Sequence, residues 1–229
     1  MTPADPTTRP TPAPVARPPP RLLERLGWAA RVRLYPYFKF GTVTVLSWDL
    51  PGWLERPAPD TFSARELRVD ELAGIARVFD RPAGELHRRA HLGDRCFCAF
   101  HDGQPVHMRW VTTRPTELPE LDLFFCPGPG EVYVFDAHTL PPYRGMRTSS
   151  AARLAMARSL TDQGFTTGHA YIMAGEDRWS LAGYTVRSRI RFHRFGRGRV
   201  HRKGALVPPV YTLDTIPAPA EPRAGALAG

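Results

Sequence analysis

The chain has 229 residues, 42% of them hydrophobic and 10% aromatic, enough for one ordinary α/β domain with its own core plus extensions. Three cysteines are too few and too odd in number for a disulfide scaffold. No apolar run approaches the ~20 residues that a membrane-spanning helix needs, so a reduced, cytoplasmic location is expected. A formal charge of +9 implies an anionic partner without choosing among an anionic cofactor, nucleic acid and acidic lipid.

Proline is unevenly spread: eight of the 25 stand in the first twenty residues, and Pro217, Pro219 and Pro222 punctuate an Ala/Gly-rich end. Residues 1–20 and 214–229 are expected to be disordered tails, because they cannot bury enough apolar surface to offset the entropy of ordering them. Leu22, Leu23, Leu26, Ala29 and Ala30 recur at helical spacing among Arg21, Arg25, Arg31 and Arg33. This predicts a basic amphipathic helix over 21–34, packed on the domain or making peripheral contact with an anionic membrane. Pro36 ends it, and Phe38, Phe40, Val43 and Val45 predict a strand with a bulge at Gly41. Residues 21–61 are thus an N-terminal extension of helix plus strand, and 62–213 the main domain.

A loop is expected through Pro59, then a helix from Ser63, with Glu66 three residues on as in a capping box. Asp80-Arg-Pro82 breaks it, and a second helix follows to His91. Cys96, Cys98 and Phe100 alternate with Phe97 and Ala99. The turn His101-Asp-Gly-Gln104 joins them to Val106, Met108 and Trp110, a hairpin signature. Residues 113–120 read as a loop. Glu131-Val-Tyr-Val-Phe-Asp136 predicts a strand, a helix follows over 147–163 with Gly164 as its left-handed cap, and a strand over 169–173 comes next. A short helix over 177–183 and a basic strand over 186–195 complete the order. A central strand–turn–helix–strand implies an α/β (α+β) fold with a mixed sheet and a right-handed crossover.

The chemistry-bearing stretch is Tyr133 to Ser149, with Thr139-Leu-Pro-Pro-Tyr-Arg-Gly145 at its centre. It resembles the acyl-CoA-binding motif of the GNAT superfamily, in which a strand ends at an apolar-x-Pro-x-Tyr-Arg-Gly turn that opens a helix. The resemblance covers 94–195 and implies a single GNAT-like domain whose mixed, twisted sheet is flanked by helices. It implies acetyl-CoA or another acyl-CoA as co-substrate, no metal, and a small-molecule or peptide amine as acceptor. An anion site at a helix N-terminus is the physical basis: amides without intrahelical partners and the positive end of the dipole face a pyrophosphate. By position, Thr139, Gly145, Met146, Arg147, Thr148 and Ser149 line that loop, Arg144 supplies charge, and Ala137 offers the amide that polarises the thioester carbonyl. Arg147 and Ser149 stand where the family pattern has glycine, so a GNAT-like binding module that no longer holds CoA is the alternative.

For a general base, Asp136 and His138 stand on the central strand, on one face by alternation and opposite Tyr133 and Phe135. Asp136 as a turn cap and His138 as a core histidine are the competing readings. Tyr184 matches the family's thiolate-protonating tyrosine in one alignment and a packing residue in another. Cys96, Cys98 and Cys126 read as buried structural residues rather than metal ligands. Arg187, Arg189, Arg191 and His193 alternate with Ser188, Ile190 and Phe192, predicting a strand with one basic face. That face suits an acidic acceptor, CoA phosphate or an anionic surface, and nucleic acid is not the expected partner.

Overall fold

The computed structural model describes residues 38–118, 121–173, 183–196, 198 and 200–217. Fourteen stretches of regular structure matter here: β1 (Phe38–Asp49), β2 (Ser63–Glu66), α1 (Leu72–Val78), α2 (Ala83–His91), β3 (Arg95–His101), β4 (Gln104–Thr112), β5 (Thr116–Leu118), β6 (Leu123–Phe125), β7 (Glu131–Thr139), α3 (Thr148–Thr161), β8 (Thr167–Met173), β9 (Thr185–Phe195), β10 (His201–Lys203) and β11 (Val210–Tyr211). The main sheet runs β10-β9-β1-β8-β7-β4-β3-β2, and β11-β6-β5 form a small second sheet. β7 and β8 are parallel, joined by α3; the other neighbours in the main sheet are antiparallel. The sheet is therefore mixed.

Local chemistry explains the central elements. Asp102 and Gly103 both take positive φ, the requirement of the two-residue hairpin that links β3 to β4. α3 presents Ala151, Ala152, Met156, Ala157 and Leu160 to the sheet, and its small residues let it lie close over Ala99 and Val106. Gly164 ends it at φ +86°, with Phe165 N donating to Leu160 O.

The two faces of the main sheet are covered differently. On one face, α1 and α2 pack on Cys96, Cys98, Met108 and Trp110, while the small sheet covers Val43, Val45, Ile190 and Phe192. On the other, α3 buries Phe97, Val111, Val132 and Val134, with Trp48, Leu50 and Trp53 completing the cluster. Each fully buried side chain of that size contributes roughly 1.5–3 kcal/mol.

Several expectations change. Ser63–Glu66 is a strand, not a helix start: it pairs with β3, and Glu66 ion-pairs with Arg95 instead of capping. The capping carboxylate is Glu71, which accepts Arg68 N at 2.9 Å just before α1. The irregularity in β1 lies at Val45/Leu46, opposite β9, rather than at Gly41. Thr116–Leu118, expected in a loop, is β5 of the second sheet. Asp214 and Thr215, expected in a tail, belong to a 3-10 turn over Leu213–Thr215 whose Thr215 hydroxyl accepts Thr212 N. β1, counted with the N-terminal extension, lies inside the main sheet between β8 and β9. The expected helix over 21–34, residues 177–182 of the helix expected over 177–183, the tail at 1–20 and residues 218–229 of the tail expected over 214–229 fall outside the described residues.

Candidate active site

β7 and β8 are paired only from Glu131 to Tyr133 against Thr167 to His169. Beyond this β7 stays with β4 and β8 with β1, so the two parallel strands diverge and open a cleft. A cavity of about 860 Å³ occupies the opening, with Trp48, Arg109, Val134, Ala137, Ala170 and Tyr184 among its walls.

At the cleft, β7 carries one extra residue. Met108 faces His138 and Trp110 faces Phe135, so Arg109 alone lies across from Asp136 and Ala137. Asp136 adopts φ +45°, which completes the bulge. The alternation expected from sequence therefore fails here. Asp136 and His138 do share a face, but it is the face of Phe135 rather than the opposite one, because the bulge resets the period. The Asp136 carboxylate is held between Arg81 (3.1 Å) and Arg89 (2.7 Å), which fix the bulge to the end of α1 and to α2. His138 packs edge-on against Phe79, and burial, with Arg81 and Arg144 nearby, pushes its pKa below the ordinary histidine value. Thr139 Oγ1 lies 2.7 Å from His107 Nδ1.

The turn after β7 is short and tightly determined. Pro141–Tyr143 makes a 3-10 turn, Gly145 takes φ +83° and Arg147 φ +60° before α3 starts at Thr148. Arg147 thus keeps the left-handed backbone that glycine adopts most cheaply, in the place where the family pattern has glycine. Its guanidinium turns away to Pro57 O at 3.0 Å. Arg144 donates to Thr139 O, and the Thr148 hydroxyl donates to Tyr143 O, closing the loop. Met146 is exposed, and no acidic residue stands in the first turn of α3. The amides at its start lack intrahelical acceptors, as in any helix.

Tyr184, just before β9, packs against Trp48 and Trp53 with ring centroids 5.3 Å from each, and Arg153 of α3 donates to its hydroxyl at 2.9 Å. Because the oxygen accepts from Arg153, the phenolic proton is free to be donated elsewhere. Asp136, Ala137 and Tyr184 line one cavity; His138 faces α1, and Arg144 to Ser149 lie along the turn and helix start.

The residues missed from sequence are His107, Arg109 and Arg153. His107 and Arg109 alternate with Val106, Met108 and Trp110, the pattern of a solvated face, but α3 covers that face and leaves Arg109 only 5% exposed. Burial, with Arg153 adding repulsion, pushes Arg109 down to about 10, and the same causes hold His107 well below its usual value. Elsewhere, Cys96, Cys98 and Cys126 are buried thiols, Cys98 pushed up to about 12 by desolvation. Among the described residues no cluster of metal-ligating side chains occurs, and no helix is long and apolar enough to cross a membrane.

No protein-family model and no curated protein matches the sequence. Solved structures do match. A functionally unknown conserved protein from Staphylococcus epidermidis superposes with a TM-score of 0.50 at 11% identity, over 78% of this chain and 68% of that one. A GCN5-related N-acetyltransferase-like protein from Streptococcus suis gives 0.46 at 14% identity, over 74% and 67%. A GCN5-related N-acetyltransferase from Kribbella flavida gives 0.43 at 16%, over 74% of this chain and 64% of its own length. At these identities the likeness is one of fold. The mixed sheet flanked by helices, with its splayed parallel pair joined by α3, is the mixed α/β fold expected from sequence.

Proposed function

We propose that the chain is an acyl-CoA-dependent N-acyltransferase, in the simplest case an N-acetyltransferase, acting on a primary amine by direct attack. The observation that carries this reading is the cleft between β7 and β8, which opens at the bulge at Asp136, on the strand that runs on into the left-handed turn at the start of α3. The residues present fit the co-substrate. The turn keeps its glycine-like path at Arg147, its side chain is turned aside, and the first turn of α3 carries no acid to repel phosphate. Acyl-CoA supplies a thioester whose carbonyl carbon is open to an amine. In this reading the amides of Gly145 to Ser149 and the guanidinium of Arg144 hold the pyrophosphate, and Ala137 N–H polarises the acyl carbonyl. The new C–N bond forms as the C–S bond breaks. The amine's proton is released to solvent along the cleft, and Tyr184 gives its proton to the departing sulfur. Asp136, engaged by two arginines, acts as the brace that holds Ala137 in place.

The test is a melting curve with and without acetyl-CoA, followed by thiol release over a panel of amines. Saturation a hundredfold above Kd adds about 2.7 kcal/mol, or roughly 5–10 °C for a domain of this size. Arg144→Ala should reduce that shift. No shift with millimolar acetyl-CoA would sink the reading.

One observation favours a second reading. Arg187, Arg189, Arg191 and His193 are exposed along β9, and His201 and Lys203 of β10 stand across from His193 and Arg191. A binding module that docks this strip on an anionic polymer or membrane would show binding that weakens steeply with salt.

A further inference from the structure

We propose that Arg109, in the wall of the cleft, and Arg153, bonded to the wall residue Tyr184, form a carboxylate subsite filled by a carboxylate carried on either the acyl donor or the amine acceptor. The substrates named rest on the acyl-CoA reading above; the anion site itself does not.

A buried charge is stable only when paired and hydrogen-bonded. Among the described residues Arg109 has only neutral partners, His107 Nε2 at 3.3 Å and Ser149 O at 3.2 Å. Arg153 reaches the Tyr184 hydroxyl and Ser150 Oγ, stacks 3.8 Å over Trp53, and its Nε is buried with no partner. Among the described residues neither guanidinium is ion-paired with a carboxylate, and the ionisable groups acting on them are the cations Arg56 and Arg147 and the phenol of Tyr184. Each guanidinium offers a fork of donors that matches a carboxylate in plane and spacing. Arg109 and Tyr184 line the cavity, and Arg109 lies across from Asp136 and Ala137, beside the backbone proposed to meet the thioester. The pyrophosphate is served separately by the turn before α3. A substrate carboxylate would therefore complete a site that the described residues leave one anion short.

The experiment compares the full chain with Arg109→Met and Arg153→Met. In a first arm, sodium succinate is expected to raise the melting temperature above that in sodium chloride of equal ionic strength, and both substitutions to abolish the difference. In a second arm, succinyl-CoA is compared with acetyl-CoA by calorimetry. In a third, 4-aminobutyrate is compared with its amide as acceptor under saturating acetyl-CoA. A preference of about 10- to 100-fold for the carboxylate form, lost in either variant, is expected in the second arm or the third, and which arm shows it identifies the source. Carboxylate and uncharged forms behaving alike in all arms overturns the proposal, as does a preference that survives both substitutions. Should CoA itself fail to bind, the acyl-CoA reading falls and the succinate arm alone decides the subsite. The ligand-free Arg109→Met protein is expected to melt higher than the wild type, which a structural arginine would not do. Arg109→Lys, which keeps the charge but not the fork, supplies a second variant if the methionine protein does not fold.

Discussion

Two arginine clusters on opposite faces of the main sheet handle charge in opposite ways. Beneath α1 and α2, half-buried cations have carboxylates: Arg81 and Arg89 share Asp136, Arg89 also holds Glu85, and Arg114 holds the buried Asp94. Beneath α3, Arg109 and Arg153 have hydroxyls, a carbonyl and an imidazole, but among the described residues no carboxylate. Paired charges reinforce a fold, whereas unpaired ones subtract from its stability and persist where a ligand completes them. The difference separates the part of the molecule that braces the bulge from the part that receives something.

The largest expected effect lies on the paired face. Asp136→Ala leaves two arginines facing one another and frees the bulge, so urea unfolding should show a loss of about 2–4 kcal/mol, discounted from the fully buried case because Arg81 is 36% exposed. A loss under 1 kcal/mol would mean that the pairing on this face is incidental. On the opposite face the comparison is sharpened by pH. His107 is 1% exposed and its pKa lies well below the ordinary value near 6.5, so the unfolded chain binds a proton that the folded chain refuses. Its contribution is present above pH 6.5 and is lost as pH falls, at up to about 1.4 kcal/mol per pH unit for one proton. His107→Gln should flatten that slope between pH 6.5 and 5, and an unaltered slope would move its origin to His138 or His169, both also pushed down by burial. The smallest effect is at the turn. Arg147→Gly removes a side chain from a left-handed position and is expected to raise stability by about 0.5–1 kcal/mol in thermal unfolding.

The unit from β7 through the turn into α3 was legible because its signals are local: a β-branched run, a Pro-Pro-Tyr-Arg-Gly turn, an apolar helix and Gly164 as its stop. The β3–β4 hairpin was legible for the same reason, through Asp102-Gly103. What sequence concealed depends on distant partners. Ser63 to Glu66 carries a helix-start pattern, yet pairing with Phe97 to Phe100 overrides it. β5, β6 and β11 are two or three residues each, too short for any period to show, and they exist because they cap Val43, Ile190 and Phe192. Arg109 was passed over because alternation reports which face a side chain takes, not what covers that face. Asp136 was placed on the correct strand and the wrong face, since a single residue at φ +45° cannot be seen in a pattern of two.

The place of β1 has a consequence for how the cleft comes into being. Leu46 and Trp48 of this early strand line it, yet the neighbours that hold β1 in the sheet are the late strands β8 and β9, with Val43 opposite both Met173 and Ile190. On the ribosome β1 emerges long before either partner, so the cleft's outer wall waits for nearly the whole chain. The binding cleft is in this sense assembled last, and its presence reports that both ends of the fold have met.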